Sequence, residues 1–224
     1  MRIATWNMHA GVGLDRRFDP DRIARVINEL DADVVALQEF GSRGAFDMCA
    51  HLQAACAMHM IVAPTFLKRG SDFGNALLTR SPPRDVVVHA LGVDTREPRN
   101  AIDLRVDLDG GDWRLVATHL GLRTSERRIQ VGKLVSLLGD VREQPTVLLG
   151  DFNEWSARGA LATIDQRFGM TASPKTFPSL FPLSALDRIW IAPATACAER
   201  SVHRSRLARL ASDHLPLVAA LTPG

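Results

Sequence analysis

Asn7, Glu39, His119, Asp151 with Asn153, and Asp213 with His214 each stand at one end of a short apolar run. The runs are RIATWN, VVALQE, RLVATHL, TVLLGDFN and SDHLPLVAAL. A run of this kind buries its length as a strand and presents its polar tip at a sheet edge. Five such tips, drawn from distant segments, build one site. Carboxylate and amide oxygens suit a hard divalent cation such as Mg²⁺ or Mn²⁺, and the two imidazoles can handle protons beside it. The chemistry these residues point to is metal-assisted hydrolysis.

Periodicity and punctuation indicate the elements that position the tips. Asp19 caps and Pro20 opens a helix in which Ile23, Val26, Ile27 and Leu30 recur on one face. A second helix is expected over about 43–57, with Ala45, Met48, Cys49, Leu52 and Cys56 inward. A third is expected from Thr124 to Leu138, with Ile129, Leu134, Val135 and Leu138 inward and Gly139 as its stop. A short fourth is expected over about 156–164, capped by Ser156. Strands are expected near 59–62, 74–79, 85–90, 100–107 and 113–119, at TVLLGDFN and at LDRIWI, with a hairpin turn at Asp109–Asp112. Because several strands between 74 and 119 follow one another without helices, the pattern favours mostly antiparallel sheets with helices outside. No GxGxxG or GxxxxGKS phosphate loop is present.

The 224 residues fit one domain, 1–224, and 46% hydrophobic with 23% charged residues is ordinary globular composition. A net charge of +2 draws no polyanion by itself, so affinity for nucleic acid would need local patches. All but three of the 27 basic residues are Arg, the side chain whose planar fork grips phosphate, although a GC-rich genome accounts for the bias equally well. Cys49, Cys56 and Cys197 form no close pair, which argues against a disulfide framework and a zinc site. The first residues already read as a strand, and no apolar stretch approaches the roughly 20 residues of a membrane span. The expectation is a cytoplasmic protein with no transmembrane segment and no obligate protein partner.

Eight segments in one order carry a resemblance: TWN at 5–7, LQE at 37–39, GNALLTR at 74–80, EPRNA at 97–101, THL at 118–120, GDFN at 150–153, LDRIW at 186–190 and SDHLP at 212–216. Together they resemble the endonuclease/exonuclease/phosphatase superfamily, whose fold is a four-layer α/β/β/α sandwich of two mostly antiparallel sheets flanked by helices. The resemblance implies a metal-dependent phosphoesterase with a phosphate-ester substrate. Glu39, Asn7, Asp213 and Asp151 would hold Mg²⁺ or Mn²⁺, and Asn7, Arg99, Asn153 and His119 would contact the substrate phosphate. Among catalytic groups, Asp151 and Asn153 would orient the water. His214, fixed by Asp187, would accept the water's proton or contact the phosphate, and His119 would assist the leaving oxygen.

The same fold serves enzymes that cut DNA, RNA, phospholipids and soluble phosphate esters, so the site defines the reaction better than the substrate. The chain has no Tyr, which points away from the abasic-site endonuclease branch. A small or medium phosphate ester is preferred, with lipid headgroups and nucleotides included in that class. A DNA or RNA nuclease and an inactive binding module are the alternatives. His9 is placed to touch substrate, Trp155, Phe177 and Phe181 either line the pocket or pack, and Arg200, Arg204, Arg206 and Arg209 form either a phosphate-gripping rim or a solvated loop.

Overall fold

The computed structural model describes residues 1–68, 71–93, 96–156, 159–169 and 172–222, with the backbone alone at 67, 68 and 71. Two strand–helix–strand units frame the architecture. In the first, β1 (Arg2–Asn7) leads through α1 (Pro20–Leu30) to β2 (Val34–Gly41), which lies parallel to β1. In the second, β7 (Gly111–His119) leads through α3 (Thr124–Leu138) to β8 (Thr146–Asp151), again parallel. Every other pairing is antiparallel. The remaining elements are α2 (Met48–Cys56), β3 (His59–Lys68), β4 (Ser71–Thr79), β5 (Arg84–Ala90), β6 (Asn100–Leu108), α4 (Ala162–Phe168), β9 (Asp187–Ala192), β10 (Cys197–Val202), α5 (Arg206–Ala211) and β11 (Leu217–Leu221). One sheet has the order β10-β11-β1-β2-β4-β3 and the other β5-β6-β7-β8-β9.

Three buried layers hold these parts together. Ile3, Val34, Ala36 and Leu77 of the first sheet meet Ile102, Leu104, Leu115, Val147 and Ile189 of the second in a central core. On the outer face of the first sheet, Trp6 and Leu37 pack on Ile23, Val26, Ile27 and Leu30 of α1, with α2 and α5 beside them. On the outer face of the second, Val116, Leu148 and Trp190 pack on α3 and α4. The order is therefore helices, sheet, sheet, helices, the four-layer sandwich expected. Each fully buried Leu, Ile or Phe in these layers contributes roughly 1.5–3 kcal/mol.

The observed elements differ from the expected ones in several places, and in α2 and α3 polar side chains explain it. The second helix starts at Met48 under an Asp47 cap that accepts from Ala50 N, so Ala45 lies outside it and is exposed, while Cys49 and Cys56 are half-buried. Ile129 of α3 is 49% exposed, because Glu126, Arg127 and Gln130 take the inner face of that turn. The fourth helix runs 162–168 rather than 156–164, and positions 157 and 158 of the expected span lie outside the described residues. The arginine-rich stretch near the C terminus is no simple loop: Arg200 is in β10, and Arg206 and Arg209 are in α5. β5 forms the outer strand of its sheet, with Val87 and Val88 each 49% exposed and Asp85 at φ +50 where its register to β6 shifts.

Candidate active site

Strand direction brings the polar tips together. β1, β2, β7 and β8 present their C-terminal ends to one edge, and the antiparallel β6, β9 and β11 present their N-terminal ends to the same edge. His119, Asp151 and Asp187 stand in register on β7, β8 and β9, forming one row across three neighbouring strands. Asn7 bridges the two sheets: its Nδ2 donates to Glu39 Oε1 and to Asp151 Oδ2, both at 3.1 Å. His214 closes the row, with Nδ1 2.8 Å from Asp187 Oδ2 and Nε2 3.8 Å from Asp151 Oδ2. Asp213 is half-buried beside Asn7, tied there by Ser212, whose hydroxyl donates to Asn7 O at 2.7 Å.

Local backbone geometry aims several of these groups. Glu39 sits at φ +51 where the β2–β4 register slips between Leu37 and Phe40, a bulge that turns its carboxylate toward Asn7. Asn153 is also left-handed, at φ +49, held by its own N–H to Asp151 Oδ1 and by Nδ2 to Leu120 O. Such strain persists where the surroundings over-determine it, as at sites of function. The glycine of GDFN is required by backbone and packing together: Gly150 lies at φ +149, and a Cβ there would meet Thr118 O at 1.9 Å, so only Gly lets β8 lie this close to β7.

The two imidazoles are opposites. Arg99 Nη1 lies 3.2 Å from His119 Nδ1, and an arginine only donates, so Nδ1 accepts and the proton sits on Nε2, facing Asp151 Oδ2 at 3.6 Å. Asn153 Nδ2 donates one N–H to Leu120 O and lies 3.0 Å from His119 Nε2, to which it does not donate in this tautomer. Burial, with the Arg99 guanidinium next, pushes His119 down to about 3 and keeps it neutral. For His214 burial works in the same direction, but the carboxylates of Asp187, Asp151 and Asp213 outweigh it and raise the ring to about 10. Arg99 itself is buried behind His119 and pairs with Glu97 at 2.9 Å, so it meets the row through the ring.

The sequence pattern of the Endonuclease/Exonuclease/phosphatase family matches residues 4–214, a span containing every residue of this cluster. The chain belongs to that family. It is 28% identical over 245 residues to YbhP of Escherichia coli K12, a protein without a characterised function, covering 98% of this chain and 95% of YbhP. Among solved structures it is similar to an endonuclease/exonuclease/phosphatase from Beutenbergia cavernae, with a TM-score of 0.79 and 25% identity over 98% of this chain and 70% of that one. It is also similar in fold to the mannosyl-6-phosphatase Bt3783 of Bacteroides thetaiotaomicron, with a TM-score of 0.77 and 19% identity over 99% of each chain. The family contains hydrolases acting on phosphate esters and is generally divalent-metal dependent.

The donor set fits such a cation. Among the described residues, Glu39, Asp151, Asp187 and Asp213 form no ion pair with a Lys or Arg, and the one group held positive among them is His214. Four carboxylates against one imidazolium would repel an anionic phosphate unless a cation joined them. Ligand atoms of Asp151, Asp187 and His214 lie within 4.8 Å of one another, but Nδ1 of His214 is committed to Asp187, so this trio reads as a hydrogen-bonded row. Glu39 and Asp213, both half-buried, offer the carboxylate oxygens a hard ion prefers, whereas Asn7 turns its Nδ2 to the carboxylates and its Oδ1 accepts from His9 N. Glu39 also lines a cavity of about 360 Å³ with His9, Arg16, Ser42, Arg43 and Asp72. A more open hollow of about 500 Å³ between β5 and α3 has no carboxylate in its lining.

Two positioning groups escaped sequence reasoning. Thr176 Oγ1 donates to Asp187 Oδ2 at 2.5 Å, and Ser212 Oγ accepts from His214 N at 3.1 Å. Ser212 lies inside the SDHLP segment, so adjacency was a usable signal; Thr176 lies in a loop without periodicity and gave none. Asp187 is fully buried on His214 and Thr176 and has no ion pair with Arg188. His9 contacts Asn7 Oδ1 through its backbone N–H, and its ring faces Val12 O. Phe177 packs on the His214 ring at 4.8 Å between centroids.

Proposed function

We propose that this chain, as one domain, hydrolyses a phosphate ester by in-line attack of water, with Glu39, Asp213 and Asp151 holding a Mg²⁺ or Mn²⁺ ion. When bound, the ion would draw charge from the phosphoryl oxygens and offset the surplus of carboxylates. Asp151 accepts a hydrogen bond from the attacking water, with Asn153 and Asn7 fixing its two oxygens. His214, already protonated, donates to a phosphoryl oxygen, a choice between its two expected roles that the raised pKa supports. His119, neutral, holds the departing oxygen by a hydrogen bond from Nε2–H and keeps that proton, and Arg99 acts by orienting the ring rather than by gripping phosphate directly. Water's oxygen bonds to phosphorus as the ester P–O bond breaks, and the proton that water gives up at Asp151 ends on the departing alkoxide, so neither imidazole changes its charge.

The observation that carries this reading is the single row of His119, Asp151 and Asp187, faced by His214 and joined to Glu39 through Asn7. The substrate class favoured is a small or lipid-headgroup phosphate, monoester or diester. Hydrolysis of bis-p-nitrophenyl phosphate and a phosphomonoester panel under Mg²⁺ and Mn²⁺, beside plasmid nicking, tests it. Full metal-dependent activity in Asp151→Ala or His214→Ala would overturn the assignment.

A further inference from the structure

The lip beside His214 is apolar and held open. Phe177 to Ser184 form a small hairpin, closed by bonds from Leu183 N and Ser184 N to Phe177 O and from Phe177 N to Ser184 O. Its base is tied to the site, since Ser179 N donates to Asp213 O at 2.7 Å and the Phe177 ring packs on His214. Its tip is not folded back: Leu180 is 52%, Phe181 76% and Leu183 69% exposed. Phe181 is absent from the lining of the two cavities described above. Trp155, 62% exposed, meets Phe177 edge-on at 5.7 Å. Leu122, 73% exposed, continues the lip, because Arg127 donates to Leu122 O and pairs with Glu154, the residue before Trp155.

Large apolar side chains kept in water by firm anchors mark a surface that something else covers. The charge around them indicates what. Neither 120–125 nor 172–186 contains Asp or Glu, and Arg123 and Lys175 are exposed there. The nearest acidic residues in sequence, Glu126, Glu154 and Asp187, are all buried. Apolar tips carried on segments that have outward cations and no Asp or Glu of their own match a lipid–water interface, where the tips enter the acyl boundary and the cations meet headgroup phosphates.

We propose that this lip docks the protein onto an anionic phospholipid surface, so that the ester offered to the site is a lipid-headgroup phosphate. The headgroup half rests on the phosphoesterase reading above; the docking half rests on the lip alone.

Flotation of the full chain with phosphatidylcholine vesicles, with and without phosphatidylglycerol, tests docking without catalysis. The chain is expected to float with the anionic vesicles, less so as salt is added. Phe181→Asp with Leu183→Asp should lower the bound fraction at least about tenfold, and Arg123→Glu with Lys175→Glu should lower it too. Turnover of bis-p-nitrophenyl phosphate, which needs no surface, should stay within about twofold in both pairs and reports that they fold. Failure of the wild type to float with anionic vesicles overturns the proposal, as does unchanged flotation of the Phe181/Leu183 pair. A concentration-dependent dimer that this pair abolishes, without vesicle binding, assigns the lip to a second copy instead. Intact docking with no phosphate ester turned over, soluble or vesicular, leaves the docking half standing and removes the headgroup half.

Discussion

The two strand–helix–strand units occupy equivalent places in the two sheets, yet their helices are held differently. Each buries an arginine in its first turn that clamps the loop arriving from the preceding strand. In α1, Arg22 binds Asp15 and Arg17 O of that same loop, and Asp15 is 30% exposed in its side chain. In α3, Arg127 binds Leu122 O locally but pairs with Glu154 beyond β8, with both side chains 3% exposed. Glu154 in turn accepts from Ser156 N and Ala160 N. The first clamp is local and wetted; the second ties the loops after β7 and β8 into one buried support behind His119 and Asn153. The lesson is that the helix nearer the proton-handling groups has given up apolar inner positions to hold loops.

The sharpest contrast between the units concerns their tips. Asp151→Ala in the second unit should lower kcat at least about 10³-fold with the fold intact by near-ultraviolet circular dichroism, since it removes the water's acceptor. Glu39→Gln in the first unit should instead raise the Mn²⁺ concentration needed for half-maximal activity, read from metal titration. Next in size is the buried clamp. Arg127→Leu strands Glu154 and should cost about 3–5 kcal/mol by denaturant unfolding, whereas Arg127→Leu combined with Glu154→Gln, which removes the charge but keeps an acceptor for the backbone N–H groups, should recover part of it. Arg22→Leu should cost less, because water can reach the Asp15 carboxylate it leaves. If the two arginine changes cost the same, the contrast between the clamps is wrong.

The smallest expected effect lies on the surface link between α1 and the segment before α5. Burial pushes the Glu29 carboxyl up, but hydrogen bonds from Ser205 and His203 outweigh it and hold the group below its ordinary value. The stabilisation is therefore present above about pH 4.5 and is lost as pH falls through the folded value. Glu29→Gln should cost at most about 0.5 kcal/mol at neutral pH after solvent screening, with the difference from wild type vanishing in acid.

The same contrast explains what the sequence made legible. α1 was readable because Ile23, Val26, Ile27 and Leu30 face the sheet at helical spacing. α3 had the right bounds, and Leu134, Val135 and Leu138 face inward as expected, but Glu126, Arg127 and Gln130 displace Ile129 for reasons that appear only when Gly121, Glu154 and the helix meet in space. The tips Asn7, Glu39, His119, Asp151 and His214 were readable because strand polarity alone assigns them to one edge. The Glu39 bulge was not, because register slips depend on the partner strand, and the Thr176 support was not, because loops carry no period. Arg99 was named for the phosphate, but its place behind His119 follows from β6 pairing with β7, which composition does not encode.

The outer strand β5 has a consequence for behaviour at high concentration. Its solvent-facing valines and free backbone edge would invite a neighbouring molecule to add itself as a further strand. The left-handed Asp85 and the slipped register beside it twist that edge out of line, and Arg84 is pinned inward to Asp112 at 2.9 Å. A zipper cannot start on a ribbon whose first teeth are offset. Straightening that kink would therefore open the edge to strand addition between copies at high concentration, with no change at the opposite end of the molecule.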